Sequence, residues 1–150
     1  RDTDRSRGLG DVYKRQWFDR VRERRLNIIN IIDSSAIISA SAKMGIGNFV
    51  GKMAVINADA EIGNNNVINT KALIEHECKV GDHNHLSTNS VINGNVIVGN
   101  SVFLGSSSVC NGQLKIGSNA IIGSGSVIIK DIPEKVTVVG VPARVIKRRD

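Results

Sequence analysis

The sequence predicts an all-β fold, a parallel β-helix of five to six triangular coils with a short helix and strand in front of it. Three observations predict it. From Ile38 to Ile128 every sixth residue is aliphatic or sulfur-bearing, sixteen positions without a slip in register. The residue after each of these is mostly Gly or Asn, and the residue two before it is mostly small, Ala, Ser or Cys. Aromatic residues make up only 3% of the 150 residues, and three of the five (Tyr13, Trp17, Phe18) lie at or before position 18. Ordinary cores lean on aromatic rings for buried area. A narrow prism of aliphatic side chains leaves them little room.

The elements come in chain order. Residues 1–16, RDTDRSRGLGDVYKRQ, are polar and carry no apolar period. They read as foreign to the rest of the chain, a library or assembly artefact or else a disordered arm. Residues 17–33 are expected to form a short helix with Trp17, Val21 and Arg24 on one side, then a strand through Leu26–Ile32. Residues 34–131 carry the repeat. A period of six is neither 3.6 nor 2, so each unit is a short strand followed by a corner. The Gly or Asn after the large residue is expected to supply the positive φ that a corner needs.

Three corners close a coil of three hexapeptides, so the large side chains fall into three columns. One is Ile38, Ile56, Ile74, Ile92, Cys110, Ile128; the second is Met44, Ile62, Val80, Val98, Ile116; the third is Val50, Ile68, Leu86, Leu104, Ile122. At about 4.8 Å per coil the prism is roughly 25 Å long. Residues 132–150 form a C-terminal tail with the basic run Lys147, Arg148, Arg149 near its end.

Charge excludes several function classes. The formal net charge is +6, but residues 1–25 hold nine Lys/Arg against five Asp/Glu, leaving the remainder at +2. A nucleic-acid binder carries its basic stripe on the folded body; here the charge sits at the ends, which predicts no nucleic-acid partner. No apolar run approaches the ~18 residues of a membrane span, so no membrane insertion is expected. Cys78 and Cys110 form no C-x-x-C pair and read as buried, reduced thiols of a cytoplasmic protein.

Departures from the repeat are where chemistry is to be sought. After Ile74 the corner position is Glu75 rather than Gly or Asn, and His76, Glu77 and Cys78 come next, then Val80-Gly81-Asp82, His83 and His85. Imidazole titrates near 6.5 and accepts a proton at neutral pH, and an adjacent carboxylate orients it and favours its cationic form. His76 is therefore a candidate general base with Glu77 or Glu75 beside it. The bland alternative is a surface histidine flanked by solvated acids. The three histidines also raise a zinc site, since His83 and His85 alternate to one face of a strand. Their spacings of 7 and 2 within one coil argue against it, and no metal is expected.

Residues 34–146 resemble the hexapeptide-repeat acyltransferases, in particular the family that includes sialic acid O-acetyltransferases and bacterial UDP-amino-sugar N-acetyltransferases. The resemblance rests on Ser35-Ala36-Ile37-Ile38, Ile56-Asn57-Ala58, Ile74-Glu75-His76-Glu77-Cys78, Gly94-Asn95-Val96 and Gly140-Val141-Pro142-Ala143. The family's His-Pro-Ser-Ala opening is replaced by Asp33-Ser34-Ser35-Ala36.

The resemblance implies a left-handed β-helix, a homotrimer and a cytoplasmic enzyme of bacterial glycan biosynthesis. That enzyme would move an acetyl group from acetyl-CoA to an amine or hydroxyl of a sugar or nucleotide-sugar, without a metal. Position by position, His76 resembles the catalytic base and Glu77 the acid that tunes it. The Gly94 N–H resembles the oxyanion donor, His85 a histidine near the acetyl-CoA thioester, and Ser106 and Ser124 the main-chain lining of the acetyl-CoA groove. Family members usually open with a small α/β sugar-binding domain containing a Gly-rich loop. Residues 17–33 resemble only its last helix and strand, so truncation with weak sugar acetylation is expected. The alternatives are a non-catalytic structural β-helix and a zinc-dependent protein resembling the carbonic anhydrases of the same fold.

Overall fold

The computed structural model describes residues 3–149. One helix, α1 (Thr3–Glu23), precedes a strand β1 (Ile31–Ile32). From β2 (Ile37–Ile38) to β17 (Val127–Ile128) a two-residue strand then recurs at every hexapeptide. Each hexapeptide supplies two extended residues, the outer one facing away from the axis and the inner one filling it. Strands three apart in the chain pair in parallel, one coil against the next, as in Ile37↔Val55 and Val91↔Val109. Three parallel sheets result. The first holds β1, β4 (Phe49–Val50), β7 (Val67–Ile68), β10 (His85–Leu86), β13 (Phe103–Leu104) and β16 (Ile121–Ile122); the second takes every third strand from β2 to β17; the third takes every third strand from β3 (Lys43–Met44) to β15 (Lys115–Ile116). A four-residue strand β18 (Val136–Val139) extends the first sheet, and β19 (Arg144–Arg148) closes it in antiparallel pairing.

The core is the three predicted columns. Ile68, Ile74, Leu86, Ile92, Leu104, Cys110, Ile122 and Ile128 are wholly buried, and Ala54, Ala60, Ala72, Cys78 and Ala120 fill the gaps between them. The small residues sit where the chain turns inward after each corner, and a larger side chain there would compete with the column residue for the same narrow space.

The corners differ from expectation. From Gly47 to Gly125 the positive φ falls three residues after the large side chain, at Met53, Asp59, Asn65, Lys71, Glu77, His83, Asn89 and their successors, rather than at the Gly or Asn immediately after it. The corners with this left-handed second central residue are type II turns. In one of them the Ala72 N–H donates to the Asn69 carbonyl (3.0 Å) across the left-handed Lys71 (φ 58°). The left-handed residue is held by the coil before it, as where the Lys71 N–H donates to the Lys52 carbonyl (2.8 Å). That bond repeats up the stack and offsets the cost of placing non-glycine residues there. The glycine after the large residue serves close approach instead: a Cβ on Gly63 would stand 2.8 Å from the Gly81 carbonyl of the next coil.

At the N-terminal end the structure departs from the sequence reading in two ways. The helix is longer than expected and runs across the 16/17 boundary, because no proline interrupts its hydrogen-bond ladder and Gly8 and Gly10 weaken it without breaking it. The strand is shorter, Ile31–Ile32 only, because these two residues alone find partners one coil on, in Phe49–Val50. Phe18, not Trp17, anchors the helix. Trp17 is exposed, whereas Phe18 is buried against Gly47, Ile28 and the ring of His83. Gly47 takes the left-handed corner position at φ +71°, and a Cβ there would stand 2.7 Å from the Phe18 ring, so the close approach of that ring is what calls for glycine.

Candidate functional site

Three corners per coil make three edges along the prism. His76 lies on the edge between the second and third sheets, in the turn that joins β8 (Leu73–Ile74) to β9 (Lys79–Val80). It takes the first central position of that turn and Glu77 the left-handed second one, at φ 57°. The left-handed bend sends the Glu77 carboxylate back toward its neighbour, and His76 Nδ1 lies 3.0 Å from Glu77 Oε2. A carboxylate only accepts, so Nδ1 is the donor and the lone pair of the neutral ring is on Nε2. Both side chains are a little over half exposed, at 57% and 56%. The Asn95 side chain, one coil on, donates to the same Glu77 oxygen (3.3 Å). The His76 N–H donates to Glu75 Oε2 (3.3 Å), so both flanking glutamates of the motif engage the histidine, one at its ring and one at its backbone.

Gly94 occupies the position of His76 one coil later. A Cβ built on it would stand 2.5 Å from His76 Nε2 and 2.6 Å from Cε1. The missing side chain is what lets the imidazole lie over the Gly94 backbone. Among the described residues no group accepts a hydrogen bond from the Gly94 N–H, while its carbonyl accepts the Gln113 N–H (3.0 Å).

The remaining predicted residues lie elsewhere in the chain. His85 is in β10 (His85–Leu86) on the first sheet, edge-on to Phe103 at 5.2 Å between ring centroids. That sheet is opposite the His76 edge. Ser106 and Ser124 are exposed turn residues on another edge, between the first and second sheets, where the Gly125 N–H donates to the Ser106 carbonyl (2.9 Å). One chain thus brings together His76, Glu77 and Gly94, and does not bring His85, Ser106 or Ser124 to them.

His83 does not share a strand face with His85. It is the left-handed residue of its corner (φ 62°), where its Nδ1 accepts from the Asn65 amide (2.8 Å) and its ring meets Phe18. Among the described residues no group of three or more His, Cys, Asp and Glu is placed to hold a metal ion. No described helix is long and apolar enough to cross a membrane.

Sequence reading misses Asn95 as part of this site. A signal for it exists, since Asn95 stands one full coil after Glu77 in the repeat register.

No protein-family model matches the sequence, and no curated protein matches it. The solved structures do. The fold is similar to that of bacterial sugar N-acetyltransferases. PerB from Caulobacter crescentus, solved with CoA and GDP-perosamine, superposes with a TM-score of 0.90 at 34% identity over 91% of this chain. A variant of perosamine N-acetyltransferase from the same organism gives 0.90 at 33% identity over 91% of this chain and 65% of its own length. The acetyltransferase domain of PglB from Neisseria gonorrhoeae, solved with acetyl coenzyme A, gives 0.89 at 29% identity, covering 91% of this chain and 66% of that one. This chain spans 66% of the length of PerB, just under two thirds.

Proposed function

We propose that this chain carries the acetyl-transfer site of an enzyme that moves an acetyl group from acetyl-CoA to an amine of a sugar or nucleotide-sugar. A sugar hydroxyl, as in sialic acid, is the other acceptor of the same chemistry. The single observation that carries the reading is the ordered trio on one edge: a carboxylate fixing Nδ1 of His76, a free Nε2, and a Gly94 N–H beneath it with no acceptor among the described residues. The solved relatives support the chemistry, because they bind CoA or acetyl-CoA and, in PerB, a nucleotide-sugar.

His76 Nε2 takes a proton from the acceptor amine as its nitrogen attacks the thioester carbonyl carbon. Glu77 stabilises the imidazolium that forms. The Gly94 N–H donates to the carbonyl oxygen as it gains negative charge. The carbon–sulfur bond then breaks, and His76 returns its proton to the departing CoA thiolate. No step needs a metal.

His85, Ser106 and Ser124 enter through a second copy of the chain. The outer faces of the first and second sheets are apolar, with Ile31, Ile37 and Phe49 exposed at 61%, 65% and 41%, whereas the third presents Lys43, Glu61, Lys79 and Lys115. Two apolar faces and one charged face suit a homotrimer. In it the His76 edge of one copy would meet His85 and the backbone at Ser106 and Ser124 of the next, and the acetyl-CoA groove would run between them. Drawing on acetyl-CoA suits a cytoplasmic location.

The test is CoA-thiol release with a nucleotide amino-sugar, comparing the chain with His76→Ala. We expect the rate to fall by about 10²–10⁴ with acetyl-CoA binding retained in calorimetry. Absence of acetyl-CoA binding in the unmodified chain would favour a non-catalytic β-helix.

A further inference from the structure

On the edge between the third and first sheets, the N–H at the first central turn position is capped in four successive coils. The cap is the side chain one coil on. Asn64 accepts from the Ile46 N–H (3.0 Å), Asp82 from Asn64 (2.6 Å), Asn100 from Asp82 (2.7 Å) and Ser118 from Asn100 (3.0 Å). That edge therefore has a standing way to consume this N–H: an Asn, Asp or Ser acceptor at the same position of the next coil.

On the His76 edge the same position is held, from coil to coil, by Ala40, Ala58, His76, Gly94, Gly112 and Lys130. Gly94 leaves room for the imidazole, which accounts for one glycine. Gly112 has a different neighbour. The three atoms nearest a Cβ built on it all belong to Gly94, with the carbonyl oxygen at 3.0 Å and the nitrogen at 3.8 Å. From there a serine hydroxyl or an asparagine carbonyl would reach the Gly94 N–H, as Ser118 and Asn100 reach theirs.

We infer that Gly112 is a positioning residue of this site, whose lack of a side chain keeps the Gly94 N–H uncapped and available to a ligand oxygen. The inference rests on the reading of Gly94 as oxyanion donor for its catalytic consequence, and on the capping pattern alone for its structural one. An acceptor at position 112 would satisfy the N–H before the substrate arrives, which is equivalent to deleting one oxyanion donor.

The experiment compares Gly112→Ser and Gly112→Asn with Gly112→Ala, which adds the same Cβ without an acceptor. Amide exchange and chemical shift of Gly94 are read by ¹H–¹⁵N spectroscopy on the full chain, and acetyl transfer is read as CoA release. Expected is a fast-exchanging Gly94 amide in the unmodified chain and in Gly112→Ala, and a protected, downfield-shifted one in Gly112→Ser and Gly112→Asn. Transfer in those two should fall about 10²–10³ below Gly112→Ala.

A Gly94 amide already protected in the unmodified chain overturns the inference. So does a Gly94 signal that is the same in Gly112→Ala and both acceptor variants. Protection gained without loss of transfer upholds the capping and overturns instead the role proposed for the Gly94 N–H. The unmodified-chain measurement stands even if a variant fails to fold.

Discussion

The imidazole of His76 lies directly over the backbone of Gly94, with Nε2 2.5 Å from where a Cβ would be. The relationship is fixed by the stack, since the two residues occupy the same turn position in successive coils. It predicts that Gly94→Ala displaces the ring rather than the backbone, because the ring is the movable partner. Transfer activity should fall by about 10²-fold or more, since both the base and the oxyanion donor are misplaced. The thermal midpoint should change little. Activity within twofold of the unmodified chain would contradict this arrangement.

Glu77 is the second case. Its carboxylate receives both the His76 Nδ1 hydrogen and the Asn95 amide. Glu77→Gln keeps an acceptor oxygen and removes the charge that stabilises the imidazolium. We expect turnover to fall by about tenfold, a loss of about 1.4 kcal/mol in the transition state, with the acetyl-CoA dissociation constant unchanged. Asn95→Ala, which leaves the charge but frees the carboxylate, should fall less. Turnover of the two variants measured side by side separates loss of the charge from loss of its anchoring.

The columns of Ile, Val and Leu are legible in the sequence because a period of six admits one inward direction per unit, and the buried set keeps to it from Val50 to Ile128. His76 and Glu77 are legible because they follow the departure from that period at Glu75, and Gly94 only through the family resemblance. What is not legible depends on contacts between successive coils. Asn95 joins Glu77 only through stacking. The glycines after the column residues suggest a φ requirement, and their role is room for the next coil, as at Gly63. His83 suggests a strand partner of His85, and the true left-handed position places it in a corner. The placing of Ser106, Ser124 and His85 on other parts of the prism is fixed by the register once the corners are counted.

The two cysteines provide a test that is independent of catalysis. Cys78 and Cys110 are both buried and free. Burial raises both thiols above their ordinary range, Cys110 to about 12. At pH 8 neither should carry appreciable thiolate, the reactive form. Ellman's reagent should label neither in the native chain and both in denaturant. Prompt labelling of Cys110 under native conditions would show that its coil opens locally.

His83 gives the fold a pH dependence at its N-terminal end. Burial against the helix lowers its pKa below the ordinary 6.5. The Arg15 and Lys14 charges push the same way, while Asp82 and Asp19 oppose them. The Asn65 amide donates to Nδ1 and so favours the unprotonated ring. A depressed folded-state pKa means that the contribution is fully present above about pH 6.5, the unfolded value, and is lost as pH falls toward the folded one. The docking of α1 through Phe18 should therefore weaken as the pH falls below about 6.5. Trp17, the single tryptophan of the chain, sits beside Phe18 and reports it by fluorescence. His83→Asn, which tolerates the left-handed backbone, should flatten the dependence of helix release on pH. An equally steep dependence in that variant would assign the effect to the carboxylates nearby instead.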